Sequence, residues 1–307
     1  MLEQDIKLAN RFLQMTIAPQ LGGAITRLTT ASGKEVLHTM SPTKQKRKDI
    51  LGSSLFVELP YTQTIQGGQF TYWGVLRKVP ANHPSTKDPI FGDGWKARWT
   101  VVESSDNKVT LAFNHPQKTK GLPFTYQAQI TYSLQDNILT IEAQVTNLGM
   151  LPMPCGLGIH PFFVKSPNVR MAFKSKHVWT HNADPITQPY KTPAIWCFEQ
   201  AKALPESPTH ICFGGFGQEA CVSYPTLGLD VRVQTDPIFN HVALHVPEHS
   251  HTFSLVPMTM TNNAFNKAAM GIIGTGIRSL GQNETLSGQI KFIVNEKSTG
   301  QAVKNRL

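Results

Sequence analysis

From Phe124 to Thr146 the chain alternates apolar and polar residues with a period of two. Phe124, Tyr126, Ala128, Ile130, Tyr132 and Leu134 fall on one face, and Thr125, Gln127, Gln129, Thr131 and Ser133 on the other. After Asp136-Asn137 the alternation resumes, with Leu139, Ile141, Ala143 and Val145 set against Thr140, Glu142, Gln144 and Thr146. Successive side chains of a strand point to opposite faces, so this pattern predicts two long antiparallel strands that share one buried face. Shorter stretches of the same kind recur at 6–9, 13–17, 24–28, 35–38, 55–58, 70–73, 99–103 and 109–113, punctuated by Gly22-Gly23, Ser32-Gly33, Gly67-Gly68 and Asp106-Asn107. Apolar runs bounded by such residues read as strands and turns. Further strands are expected at 220–223, 229–234, 242–246, 252–256 and 289–294, and a single helical piece near 263–270. Residues 165–210 are proline-rich and weakly patterned, which predicts excursions over the surface. The fold class is therefore all-β, a large antiparallel β-sandwich, with residues 1–307 expected to form a single domain.

Composition narrows the function classes. Charged residues make up 16% of the chain and apolar ones 40%, which fits a globular protein and not a disordered one. No apolar run approaches a membrane span, and the opening Met1-Leu2-Glu3-Gln4-Asp5 is acidic where a secretory leader is basic, so the expectation is a cytoplasmic protein without a membrane partner. Cys155, Cys197, Cys212 and Cys221 have no close pairing, which argues against a disulfide framework or a zinc site and predicts free thiols, with no metal and no cofactor. The net charge of +9 includes a dense cluster, Lys44-Gln45-Lys46-Arg47-Lys48, which reads as a solvated loop. No aromatic ladder accompanies it, so no nucleic-acid partner is expected. The oligomeric state is left open.

Candidate chemistry gathers between Asn147 and Phe163, where Gly156-Leu157-Gly158-Ile159 leads to His160 and Pro161. Proline pushes its predecessor toward extended geometry, so His160 is expected to end a strand. Glycines in a strand let another strand or a ligand approach the backbone. Together these predict an imidazole presented to a concave cleft. The alternative for the same residues is a core histidine packed by Phe162 and Phe163.

Several stretches, in order, resemble the aldose 1-epimerase family, also called the galactose mutarotase-like superfamily. They are Gly22-Gly23-Ala24 with Ser32-Gly33-Lys34-Glu35-Val36-Leu37, the segment ending in Gly158-Ile159-His160-Pro161-Phe162-Phe163, the Pro257-Met258-Thr259 and Asn262-Asn263-Ala264-Phe265-Asn266 block, and Gly276-Ile277-Arg278-Ser279-Leu280 through Glu284 and Gly288. Gln282 stands where the last segment usually has glycine. The resemblance implies the supersandwich type of β-sandwich and a small-molecule sugar as partner. It also implies a site in which a histidine protonates the ring oxygen while a glutamate takes the anomeric proton. Carried over by position, the histidine is His160. The glutamate position holds Val256, which cannot take a proton. A second histidine position holds Phe91, an arginine position holds Thr64 within Gln63-Thr64-Ile65, and an aspartate position falls on His210.

The candidate site is thus His160 as the catalytic residue, with His160, Gln63, Asp93 and His210 as substrate-binding residues; Lys96, His241 and His245 are further polar candidates. The resemblance implies a carbohydrate-binding member of the family, with ordinary mutarotase activity weak or absent because of Val256. Two alternatives stand beside it. One is an active isomerase on an unusual, anionic sugar paired by Lys96 or Arg98. The other is a protein-interaction sandwich with no sugar ligand.

Overall fold

The computed structural model describes residues 4–116, 122–179 and 188–297. Two large antiparallel sheets face each other. The long hairpin expected from the alternation is Tyr126–Gln135 paired with Ile138–Asn147, in register from Tyr126 opposite Asn147 to Gln135 opposite Ile138. Its apolar face is fully buried: Tyr126, Ala128, Ile130, Tyr132, Ile141, Ala143 and Val145 are each at 0% exposure. This hairpin sits in a nine-stranded sheet, between Lys108–His115 on one side and Thr285–Glu296 on the other.

The second sheet has twelve strands and carries the site. Its central run goes from Leu55–Glu58 to Gly158–Pro161, Thr252–Met258, His241–Val246, Thr209–Gly214 and His177–Trp179, each antiparallel to the next. One face contributes Leu55, Val57, Ile159, Phe253, Leu255, Val242 and Leu244 to the core shared with the other sheet. Because side chains alternate, the residues between these point away from that core. They form the floor on which polar and aromatic side chains gather. The large antiparallel β-sandwich expected from the sequence is the fold observed.

Two expectations change. The basic cluster is not a loop throughout: Pro42–Lys46 forms one helical turn, capped by Ser41 Oγ, which accepts from the Lys44 N–H at 3.3 Å. A Ser-Pro pair is a start signal for a helix, and here it wins over the charge repulsion of the lysines. The 165–210 stretch is also more than surface. It supplies Arg170–Phe173 to the nine-stranded sheet and His177–Trp179 to the twelve-stranded one, and Phe173, Trp179 and Phe198 are at most 3% exposed. Strands of three or four residues are too short to display a period, which is why the pattern was silent. Residues 180–187 of this stretch lie outside the described residues. The expected helix is found at Ala264–Ala269. Among the described residues no helix is long and apolar enough to cross a membrane.

Candidate functional site

The site starts from two neighbouring strands. Leu55–Glu58 and Gly158–Pro161 pair so that His160 lies opposite Phe56 and Gly158 opposite Glu58. Period two places all four on the face turned away from the core. The Phe56 ring stacks on the imidazole with centroids 4.6 Å apart, Phe162 stacks at 4.9 Å, and Phe91 meets its edge at 5.3 Å. Glu58, at 0% exposure, holds the ring from behind: its Oε1 lies 2.7 Å from His160 Nδ1. A carboxylate is an acceptor, so Nδ1 donates. A Cβ on Gly158 would stand 3.3 Å from Glu58 Oε2 and 3.1 Å from the Thr62 methyl. The space left by this glycine is therefore taken by a neighbouring carboxylate, not by a ligand.

The other oxygen of Glu58 accepts the Gln63 backbone N–H at 2.9 Å. Gln63 has φ +55 and Phe91 has φ +60, the left-handed region that non-glycine residues avoid, and the Phe91 N–H donates to the Gln63 carbonyl at 2.8 Å. Such residues cost about 1–3 kcal/mol each and persist where their surroundings hold them, often at functional sites. The Gln63 side chain then reaches across, its Oε1 3.1 Å from His210 Nε2. His210 packs edge-on against His245 at 4.6 Å, its partner in the strand register. Burial, followed by the nearby His160 and Lys165, pushes the His245 imidazole down to about 4, so at neutral pH it is uncharged. Among the described residues neither His245 Nδ1 nor Ser254 Oγ, opposite one another in register, has a hydrogen-bond partner.

These groups surround a cavity of about 260 Å³. Gln63, His160, His210, His245 and Ser254 form its polar side, and Phe91, Phe162, Ala243, Phe253 and Val256 its apolar side. A volume of this order accommodates a small ligand. Of the sequence candidates the structure brings together His160, Gln63, His210 and His245, together with Phe91 and Val256 at the positions where the family resemblance expects a histidine and a glutamate. Asp93 is not among them. Its backbone N–H is tied to the Leu59 carbonyl at 3.1 Å, and its carboxylate lies 3.1 Å from His115 Nε2, close enough for an ion pair though not aligned for a hydrogen bond. It faces a separate cleft with Asn82 and Lys96. The Lys96 ammonium donates to the Asn82 carbonyl at 2.6 Å and lies over the Trp95 ring, and Arg98 is exposed, so neither cation reaches the His160 cavity. His241 is buried with Nδ1 3.2 Å from the Thr259 carbonyl and Nε2 3.1 Å from that of Gly274.

Sequence reasoning did not place Glu58 behind His160 or Ser254 beside His245. A signal existed for the first: Glu58 is the lone charge in an apolar strand, two residues from Phe56 and so on the same face. None existed for the second, since a serine in a strand is unremarkable.

Comparison with known proteins agrees with this architecture. The chain is 26% identical over 276 residues to the uncharacterised protein YihR of Escherichia coli K12, covering 86% of each. It is 25% identical over 187 residues to the uncharacterised protein YphB of the same organism, covering 60% of this chain and 63% of that one. The structure superposes on a galactose mutarotase-like protein from Clostridium acetobutylicum with a TM-score of 0.83 at 19% identity, covering 95% of each chain. A GalM/aldose epimerase homologue from C. elegans matches with a TM-score of 0.80 at 15% identity, covering 96% of this chain and 99% of that one. The family model for aldose 1-epimerase matches residues 4–259, most of the sequence, and the chain belongs to that family.

Proposed function

We propose that the protein binds a neutral carbohydrate in the His160 cavity and that its catalysis of ordinary anomer exchange is weak or absent. The observation that carries this reading is the composition of the wall: every described residue lining the cavity is apolar, hydroxyl, amide or imidazole. Hydroxyls and ring faces of a sugar suit such a wall, because Gln63, Ser254 and three imidazoles offer hydrogen bonds while Phe91 and Phe162 offer apolar surface. Val256 stands on that wall where the family resemblance expects the proton-accepting glutamate. Loss of a general base costs on the order of 10²–10⁴ in rate, which leaves little above the spontaneous reaction. The pairing of an anionic sugar by Lys96 or Arg98 finds no support in their positions. Calorimetry with hexoses, deoxyhexoses, uronic acids and sugar phosphates tests the reading, and polarimetry tests the rate. Tight binding confined to the anionic sugars, or anomer exchange far above the buffer rate, would overturn it.

A second reading is an isomerase working through one proton-exchanging group on a sugar other than glucose or galactose. The Glu58–His160 pair supports it, since a buried carboxylate bound to one imidazole nitrogen leaves the other to give or take a proton.

A further inference from the structure

We propose that Glu58 is the positioning residue of this cavity, one buried carboxylate that fixes both the tautomer of His160 and, through Gln63, the seat of His210. Its two oxygens have separate duties. Oε1 accepts from His160 Nδ1 at 2.7 Å and Oε2 from the Gln63 backbone N–H at 2.9 Å. With Nδ1 committed as a donor, the proton that distinguishes imidazole from imidazolium resides on Nε2. Among the described residues Nε2 of His160 has no hydrogen-bond partner, and the residue lines the cavity. Any ligand hydroxyl that meets His160 therefore meets its exchangeable proton site.

The second duty works through the backbone. Gln63 at φ +55 needs an external hold, and it has two: Glu58 on its N–H, and the Phe91 N–H on its carbonyl. That hold aims its side chain at His210, 3.1 Å away. Glu58 and His210 never touch, yet the carboxylate sets where the second imidazole is anchored. Gly158 opposite Glu58 keeps the space that Oε2 needs.

An amide at position 58 cannot reproduce this. It offers one acceptor oxygen and an NH₂ donor, whereas both neighbours present N–H groups. Glu58→Gln, nearly the same size, must therefore lose one of the two hydrogen bonds or force neutral His160 into the Nε2–H form, with Nδ1 accepting from the amide. The role of Nε2 rests on the cavity being a ligand site, but the positioning claim does not, so the carbohydrate reading and this one can fail separately.

The test is long-range ¹H–¹⁵N NMR of the histidine rings in the full chain without ligand, with rings assigned by His160→Gln and His210→Gln. In the wild type, neutral His160 is expected in the Nδ1–H form, with no proton on Nε2. E58Q is expected to move the ring signals of His160 or His210, and Gln63→Ala those of His210 while His160 keeps its tautomer. Should E58Q not fold, the wild-type tautomer and Gln63→Ala decide. An Nε2–H form of neutral His160, an E58Q protein with both rings unmoved, or a Gln63→Ala protein in which His210 stays put would overturn the proposal.

Discussion

Val256 lies opposite Ala243 in the antiparallel pair that floors the cavity, and both pack with Cys212, Met258 and Trp179. The position where the family resemblance expects a proton acceptor is thus part of a continuous apolar cluster, and Val256 is only 1% exposed. Apart from the Trp179 indole, whose Nε1 has no hydrogen-bond partner among the described residues, that cluster consists of Cys212, Ala243, Met258 and Ile272, so a charge at position 256 would sit among mostly apolar neighbours.

Val256→Glu is therefore expected to destabilise the protein and to leave anomer exchange slow. Burying a polar group without partners costs roughly 2–4 kcal/mol, and a carboxylate escapes more only by taking up a proton. Thermal melting followed by circular dichroism checks the first part, and polarimetry on glucose and galactose the second. A variant as stable as the wild type and about 100-fold faster than it would mean that the base position is intact and merely vacant.

The Glu58–His160 pair gives a second expectation. Removing one member of a buried pair strands the other, which costs about 3–5 kcal/mol. His160→Ala should be strongly destabilising, and adding Glu58→Gln to it should recover part of the loss. Urea unfolding of both singles and the double measures a coupling free energy, expected at about 1–3 kcal/mol. Additive effects would show that the 2.7 Å contact does not link the two residues energetically.

Much of this is legible in the sequence. The hairpin of Tyr126–Gln135 and Ile138–Asn147 follows from alternation because one face is buried and one is not. A local signal marks His160, glycines before it and proline after it, and the residue is extended but not terminal, since the strand Gly158–Pro161 runs one residue further. Gln63, His210 and Val256 came from the family resemblance, and the structure brings them to one cavity. Asp93 is a candidate only as a polar group near Phe91-Gly92 in sequence, and it lies in a separate cleft with Asn82 and Lys96. The role of Glu58 needs strand register and the opposed Gly158, a long-range fact that local pattern does not contain.

That opposition makes Gly158→Ala a sharp probe. The residue has no left-handed φ, so alanine is free to adopt its backbone, and the effect reports crowding alone. The new methyl would press on Glu58 and Thr62 at 3.1–3.3 Å. The expected loss is about 1–3 kcal/mol, as for other overpacked sites. The His160 ring signals should shift with it. If stability and ring signals both match the wild type, the carboxylate has more freedom than its position suggests.

The last expectation concerns acid. Burial pushes His241 and His245 down to about 4 in the folded state; for His241 it outweighs the carbonyls of Thr259 and Gly274, which favour a proton. In the unfolded chain both titrate near 6.5. Between those values the unfolded state binds protons that the folded state refuses, so stability is fully present above about 6.5 and drains away as pH falls toward about 4. A shift of this size corresponds to at most roughly 3–4 kcal/mol per histidine, and to less for His245, which is only partly buried. The urea midpoint should therefore drop between about pH 7 and about pH 5, before most carboxylates begin to protonate. His245→Gln keeps a polar side chain but cannot titrate, so its midpoint should drop less over the same interval. An unchanged wild-type midpoint, or an equal drop in both proteins, would show that His245 accepts a proton as easily in the folded cavity as in water.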